Sequence, residues 1–179
     1  MIRYLLNKAA RSFGERYNYD VQYLLDINSI SKSAGLRISF LPLISQFRGP
    51  KGADGVWAGA LFASTEEGDC GPCLQLVVDM ATEAGIDPQM LKACREGRPQ
   101  EAGDVGLGYR FARAAIAGNL EADDLREEIT RKHGKKAALA AAYAAASGRV
   151  YPVLKRGLGH GAACGALDYR AEHKGSAAA

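Results

Sequence analysis

Two cysteines three positions apart, in Asp69-Cys70-Gly71-Pro72-Cys73-Leu74, are the residues of this chain best suited to chemistry. Spacing i, i+3 at a helix start puts both sulfurs on one face, close enough to close a disulfide in place. Gly68 reads as the end of one helix, Asp69 as the cap of the next, and Pro72 fits a first turn, where its missing N–H costs nothing. A cysteine in that turn feels the partial positive charge of the helix N-terminus, which favours the thiolate. The pair is a candidate redox dithiol, with Cys70 as exposed nucleophile and Cys73 as resolving partner. Glu66, Glu67 and Asp69 are candidate bases by proximity in sequence, and His160 is a candidate relay group from a distant element.

The remaining ligand-type residues do not assemble a second motif. A structural zinc site takes four ligands, usually from two paired motifs. Here one CxxC stands beside the scattered singles Cys94, Cys164, His133, His160 and His173. No metal is expected; a zinc site shared between subunits through Cys70 and Cys73 is the alternative that the spacing leaves. Cys94 reads as a small core residue and Cys164 as a loop cysteine. Tyr151 and Arg149 are equally well explained as packing and surface charge. The glycine-rich Gly157-Leu158-Gly159-His160-Gly161 follows no strand, so no nucleotide cofactor is expected.

Composition sets the frame. The chain has 179 residues, long enough for one sizeable core plus an extra N-terminal layer. A net charge of +3, evenly spread, gives no argument for nucleic acid. No run of eighteen apolar residues suggests a membrane span, and Met1–Leu6 lacks the long apolar region of a signal peptide. Four cysteines are too few for a disulfide framework, so a cytoplasmic setting is the default expectation.

The elements around the dithiol read as helices throughout. Ile2, Leu5, Leu6, Ala9 and Phe13 give a helix over 1–17, and Asp20 caps a second carrying Val21, Tyr23, Leu24, Leu25 and Ile27, ending near 28–33. Residues 36–47 begin with strand-like alternation, but Pro42 and the lack of a partner strand favour a helix start or an irregular segment. Gly49–Gly52 is a loop. Helices follow over 53–67, 70–84, 88–95 (the Asp87-Pro88 start), 104–117 (capped by Asp104), 121–133 and 135–148, the last continuing past a kink at Pro152. The expected organisation is all-α: an N-terminal helical extension over 1–52, a CxxC helical domain over 53–164, and a flexible tail over 165–179.

The order of these elements resembles the carboxymuconolactone decarboxylase superfamily, in particular its AhpD-like alkylhydroperoxidase branch. The resemblance covers residues 53–160. It rests on the apolar helix leading into Glu66-Glu67-Gly68-Asp69-Cys70-Gly71-Pro72-Cys73, the Asp87-Pro88 helix, the opening Asp104-Val105-Gly106-Leu107, and the pair 121–133 and 135–156. Arg16-Tyr17-Asn18-Tyr19-Asp20 and Arg149-Val150-Tyr151-Pro152 resemble the extensions of some members. The resemblance implies an AhpD-like helical bundle, a homo-oligomer (trimer or hexamer), a redox partner protein, and a CxxC that cycles between dithiol and disulfide to reduce peroxide or a partner disulfide. Two departures stand out. Peroxidase-type members carry a histidine four residues after the second cysteine and a glutamate twelve before the first; here those positions are Val77 and Ala58. The alternative is a catalytically silent helical oligomeric scaffold or binding protein of the same fold. Cys-Gly-Pro-Cys is also the thioredoxin tetrapeptide, but there it follows a buried strand, and Trp57–Glu67 has no β-branched run.

Overall fold

A helix whose every side must be buried marks the centre of this chain. Asp54–Glu66 is built almost wholly from small and apolar residues, and everything from Gly55 to Thr65 is buried. Fully burying side chains such as Trp57, Leu61 and Phe62 contributes about 1.5–3 kcal/mol each. The structure, a computed structural model, describes residues 1–161 and 167–170. Among these the fold is all-α. In chain order, α1 (Ile2–Tyr17), α2 (Gln22–Ile30), α3 (Lys32–Ser39) and the short α4 (Pro42–Ser45) precede α5 (Asp54–Glu66). They are followed by α6 (Gly71–Glu83), α7 (Pro88–Arg95), α8 (Gly103–Ala117), α9 (Glu121–His133), α10 (Lys135–Ser147) and α11 (Val150–Gly157), with a 3₁₀ turn at Pro99–Ala102.

The main core gathers α5 between α6, α8 and the alanine face of α10. Helices α5 and α8 cross at backbone contact. A Cβ on Gly59 would collide with the Val105 carbonyl, and one on Gly108 with the Val56 carbonyl. Leu125 and Ile129 close the core from α9, as their spacing predicts.

A second, smaller core is built by the N-terminal segment. Ala10, Tyr19, Val21, Tyr23 and Ile27 pack with Cys70 and Cys73, and Tyr151 and Leu154 of α11 join them. Asn18 ends α1 in the left-handed conformation that asparagine tolerates, with φ 48°. The chain then turns inward at Tyr19. Asp20 accepts the Gln22 amide at 2.9 Å in the turn ahead of α2, but Val21, not Asp20, is the residue at which that helix begins. Arg16 and Tyr17 both bond the Glu83 carboxylate, at 3.0 and 2.7 Å, tying α1 to the far end of α6.

Three local expectations differ from what forms. Residues 28–33 hold a break between two helices: Ser31 accepts the Ala34 amide at 3.2 Å and starts α3, absorbing the strand-like 36–38. Asp104 lies inside the first turn of α8, where its carboxylate meets His133 Nε2 at 3.0 Å, and does not cap it. Pro152 does not kink a continuing helix; α10 ends at Ser147 and Pro152 sits in the first turn of a new one. Ser64 and Thr65 of α5 serve that break. Ser64 Oγ donates to the Ala145 carbonyl at 2.6 Å and accepts the Arg149 amide at 3.2 Å, while Thr65 Oγ1 reaches the Gly148 carbonyl at 3.2 Å. The chain is thereby redirected, and α11 lies over the start of α6. Of the expected tail, residues 167–170 lie against the core: Gln75 exchanges hydrogen bonds with the backbone of Asp168 at 2.7 and 3.0 Å. Cys164 and the rest of the tail lie outside the described residues.

Candidate active site

The loop before α6 is sharper than a simple cap. Asp69 takes a left-handed conformation with φ 46°, and Cys70, not Asp69, is the residue at which the helix begins. Gly68 is required for closeness: a Cβ there would overlap the Pro152 ring. Arg156 clamps the loop by donating to the Gly68 and Asp69 carbonyls at 3.1 and 3.0 Å. Pro72 occupies the first turn as its missing N–H allows.

This geometry brings Cys70 Sγ and Cys73 Sγ to 2.6 Å. No disulfide joins them, yet they stand closer than two separate sulfurs in van der Waals contact, within reach of a bond. Their electrostatic environments diverge. The Cys73 thiol beside it brings Cys70 down to about 6; the Cys73 amide and the Lys155 and Arg156 charges add to this, against partial burial. Cys73 moves strongly the other way, because a thiolate beside it and its own burial disfavour a second negative charge. The shared proton is therefore favoured on Cys73, and the charge on Cys70. Exposure separates them little: 7% for Cys70 and 4% for Cys73. The exposed nucleophile expected from the sequence is instead covered, because α1–α2 and α11 close over the start of α6.

The cover is aromatic and cationic. Tyr19 Oη lies 3.4 Å from Cys73 Sγ. Tyr23 stacks edge-on against Tyr19 and Tyr151, at 6.4 Å in each case. Burial pushes all three hydroxyls up, Tyr151 to about 12, so they stay neutral donors. Lys155, 1% exposed, places its ammonium 4.7 Å from the Tyr19 ring centre and 5.2 Å from that of Tyr23. Beside this cluster a cavity of about 510 Å³ opens between the N-terminal helices and α6. Its lining is mainly apolar, including Phe13, Leu24, Ile38, Leu76 and Met80, and Cys73 forms part of its wall. An apolar molecule entering there meets the Cys73 side of the pair.

The other candidates lie elsewhere. Glu66 accepts from Tyr109 Oη at 2.7 Å and faces Arg95 at 3.7 Å; Glu67 pairs with Arg113 at 2.7 Å. Neither carboxylate is among the groups that shift Cys70. His160 pairs with Asp26 at 2.9 Å and lies 6.5 Å from the Tyr23 ring, at the edge of the tyrosine cluster. Asp69 turns its carboxylate to Arg156 at 3.5 Å. Ala58 and Val77 are buried, with no titratable atom to offer. Cys94 is buried in the main core, and desolvation pushes it up to about 12, as suits an inert thiol. Tyr19, Tyr23 and Lys155 are site residues that the sequence does not single out: Tyr23 reads as part of an apolar helix face, Tyr19 as part of the segment before Asp20, and nothing local links them to a lysine near the other end of the chain.

Among the described residues no group of three His, Cys, Asp or Glu side chains is placed to hold a metal ion, and no helix is long and apolar enough to cross a membrane. Comparison of the chain with family models, with curated proteins and with solved structures finds no match.

Proposed function

We propose that this protein is a thiol–disulfide redox protein of the AhpD-like kind, in which Cys70 is the attacking thiolate and Cys73 the resolving thiol. The observation that carries this is the pair itself: two free thiols 2.6 Å apart at a helix start, with the charge favoured on Cys70 and the proton on Cys73. A thiolate near pH 6 is charged at neutral pH, and a neighbouring thiol turns its first product into a disulfide.

With a disulfide substrate, Cys70 Sγ attacks one substrate sulfur; a Cys70–S bond forms, the substrate S–S bond breaks, and one thiolate leaves to take a proton from water. Cys73 then gives up its proton and attacks Cys70 Sγ, closing the Cys70–Cys73 bond and releasing the second thiolate. The thiolate–thiol pair loses two electrons and the one proton of Cys73; with the second proton taken from water the substrate becomes two thiols. With a hydroperoxide, Cys70 takes the distal OH as the O–O bond breaks, and the alkoxide that leaves takes a proton from water to become an alcohol. Attack of Cys73 on the resulting sulfenic acid then expels water. A partner bearing a dithiol returns the two electrons and the Cys73 proton by the reverse exchange.

A homo-oligomer belongs to the same reading. Phe40, Leu43 and Ile44 expose large apolar side chains on neighbouring turns, a patch that a second copy would cover. Light scattering showing a monomer of about 19 kDa at micromolar concentration would remove that part.

Counting free thiols before and after a hydroperoxide or disulfide pulse tests the proposal, alongside Cys70→Ser and Cys73→Ser. A loss of two thiols in the parent, with stalled adducts on Cys70 in Cys73→Ser, is the expected result. An unchanged count would leave the silent scaffold, which the burial of both sulfurs and the apolar Ala58 and Val77 favour.

A further inference from the structure

Lys155 is a buried ammonium to which the described residues bring no carboxylate. Among the described residues no Asp or Glu lies within ion-pair distance of it; its near neighbours are the faces of Tyr19 and Tyr23. Ring faces compensate an ammonium for only part of its lost hydration, so a dry cation of this kind calls for an anion nearby. The tyrosine hydroxyls do not supply one, because burial holds them protonated. The group in this cluster that ionises readily is the dithiol, reached through Tyr19, whose ring face meets Lys155 and whose hydroxyl lies 3.4 Å from Cys73 Sγ.

We propose that Lys155 is a positioning residue for the dithiol: its buried ammonium, wedged between Tyr19 and Tyr23, is the fixed counter-charge of the Cys70 thiolate. This rests on the dithiol reading above. It gives the chain a substitute for the carboxylate and imidazole that Ala58 and Val77 cannot provide, working by charge and not by proton transfer. The lysine is held in place by its helix. The bonds of Ser64 and Thr65 to 145–149 set where α11 begins, and the Pro152 ring seats against Gly68.

The other charged and titratable groups around Cys70 act differently. Cys73, on the same helix, keeps its proton. Arg156, the next residue of α11, is 60% exposed at its side chain, bonds two carbonyls and faces Asp69, so water and its partners screen it. His160 and Asp26 pair with each other at the edge of the cluster.

The test is the pH profile of Cys70 reacting with a small neutral disulfide in the native chain, Lys155→Met, Lys155→Arg and Arg156→Met. The profile of Lys155→Met should move up by about one unit or more, a tenfold loss of thiolate below its midpoint. Lys155→Arg should restore part of this, and Arg156→Met should move it less. A Lys155→Met profile lying on the native one overturns the inference while leaving the dithiol reading intact; a native midpoint near the free-thiol value of about 8.5 overturns both. Should Lys155→Met fail to fold, Lys155→Gln answers in its place: its profile should move up by a similar amount, and a Lys155→Gln profile lying on the native one overturns the inference.

Discussion

Removing the proton donor beside Cys70 should change both how fast it reacts and how far the reaction goes. In Cys73→Ala the thiol that most lowers Cys70 is gone, while Lys155, Arg156 and the first turn of α6 remain. The midpoint should therefore settle between about 6 and the roughly 8.5 of an unperturbed thiol. The choice of pH decides whether this is visible. Near pH 7 a thiol titrating at about 6 is some 30-fold more ionised than one at 8.5, but its weaker basicity costs about 13-fold in nucleophilicity, leaving about twofold. Near pH 5.5 the ionisation advantage grows to about 240-fold and the net advantage to about 20-fold. The predicted rate with dithiodipyridine at about pH 5.5 falls about 4-fold if half the shift survives, and about 20-fold if none does. Absorbance also counts the released thiopyridone. Counted above Cys70→Ser/Cys73→Ser, the native dithiol should release two equivalents as its disulfide closes, and Cys73→Ala should release one and keep a mixed disulfide. A native midpoint near 8.5, or one equivalent from the native chain above that double variant, would show that Cys73 neither lowers nor resolves Cys70.

Three further outcomes follow from the same structure. Gly59→Ala should destabilise the fold by about 3 kcal/mol in denaturant melts, because its Cβ meets the Val105 carbonyl where α5 and α8 touch. Glu66→Gln and Glu67→Gln should leave the Cys70 profile within about 0.3 units of the native one, since both carboxylates are engaged with Tyr109 and Arg113 away from the sulfurs. Stability should also depend on pH through the dithiol: Cys70 is lowered in the folded chain, so its contribution is full above its unfolded value near 8.5 and is lost as pH falls through about 6. Discounted for partial solvent screening this is about 1–2 kcal/mol, read as the difference between the native chain and Cys70→Ser/Cys73→Ser. Above about 8.5 the raised Cys73 reverses the slope, because the unfolded chain then loses a proton that the folded one keeps.

The parts of this account legible in the sequence are those that depend on neighbours along the chain. Proline and glycine punctuation with helical spacing places α5 to α9 to within a residue or two, and the i, i+3 cysteines predict sulfurs on one face. The helix α3 escaped because its start depends on one serine, Ser31, inside a cluster that reads equally well as a helix end. The site's cover escaped for a stronger reason. Tyr19, Tyr23 and Lys155 meet only because Ser64 and Thr65 redirect the chain after α10, and no local pattern records a contact between residues at opposite ends of the sequence. The same distance explains the burial of Cys70. A first-turn cysteine reads as accessible until the segment that covers it is placed.

The proposed reversible two-electron couple of Cys70 and Cys73 is measured by equilibrating the protein in graded thiol–disulfide buffers, then trapping free thiols and assigning peptides by mass spectrometry. The prediction is one reversible two-electron transition, with Cys70 joined to Cys73 in the oxidised form and Cys94 still free. Cysteines that stay reduced across the whole range, or oxidise only to mixed disulfides without the Cys70–Cys73 link, would contradict it.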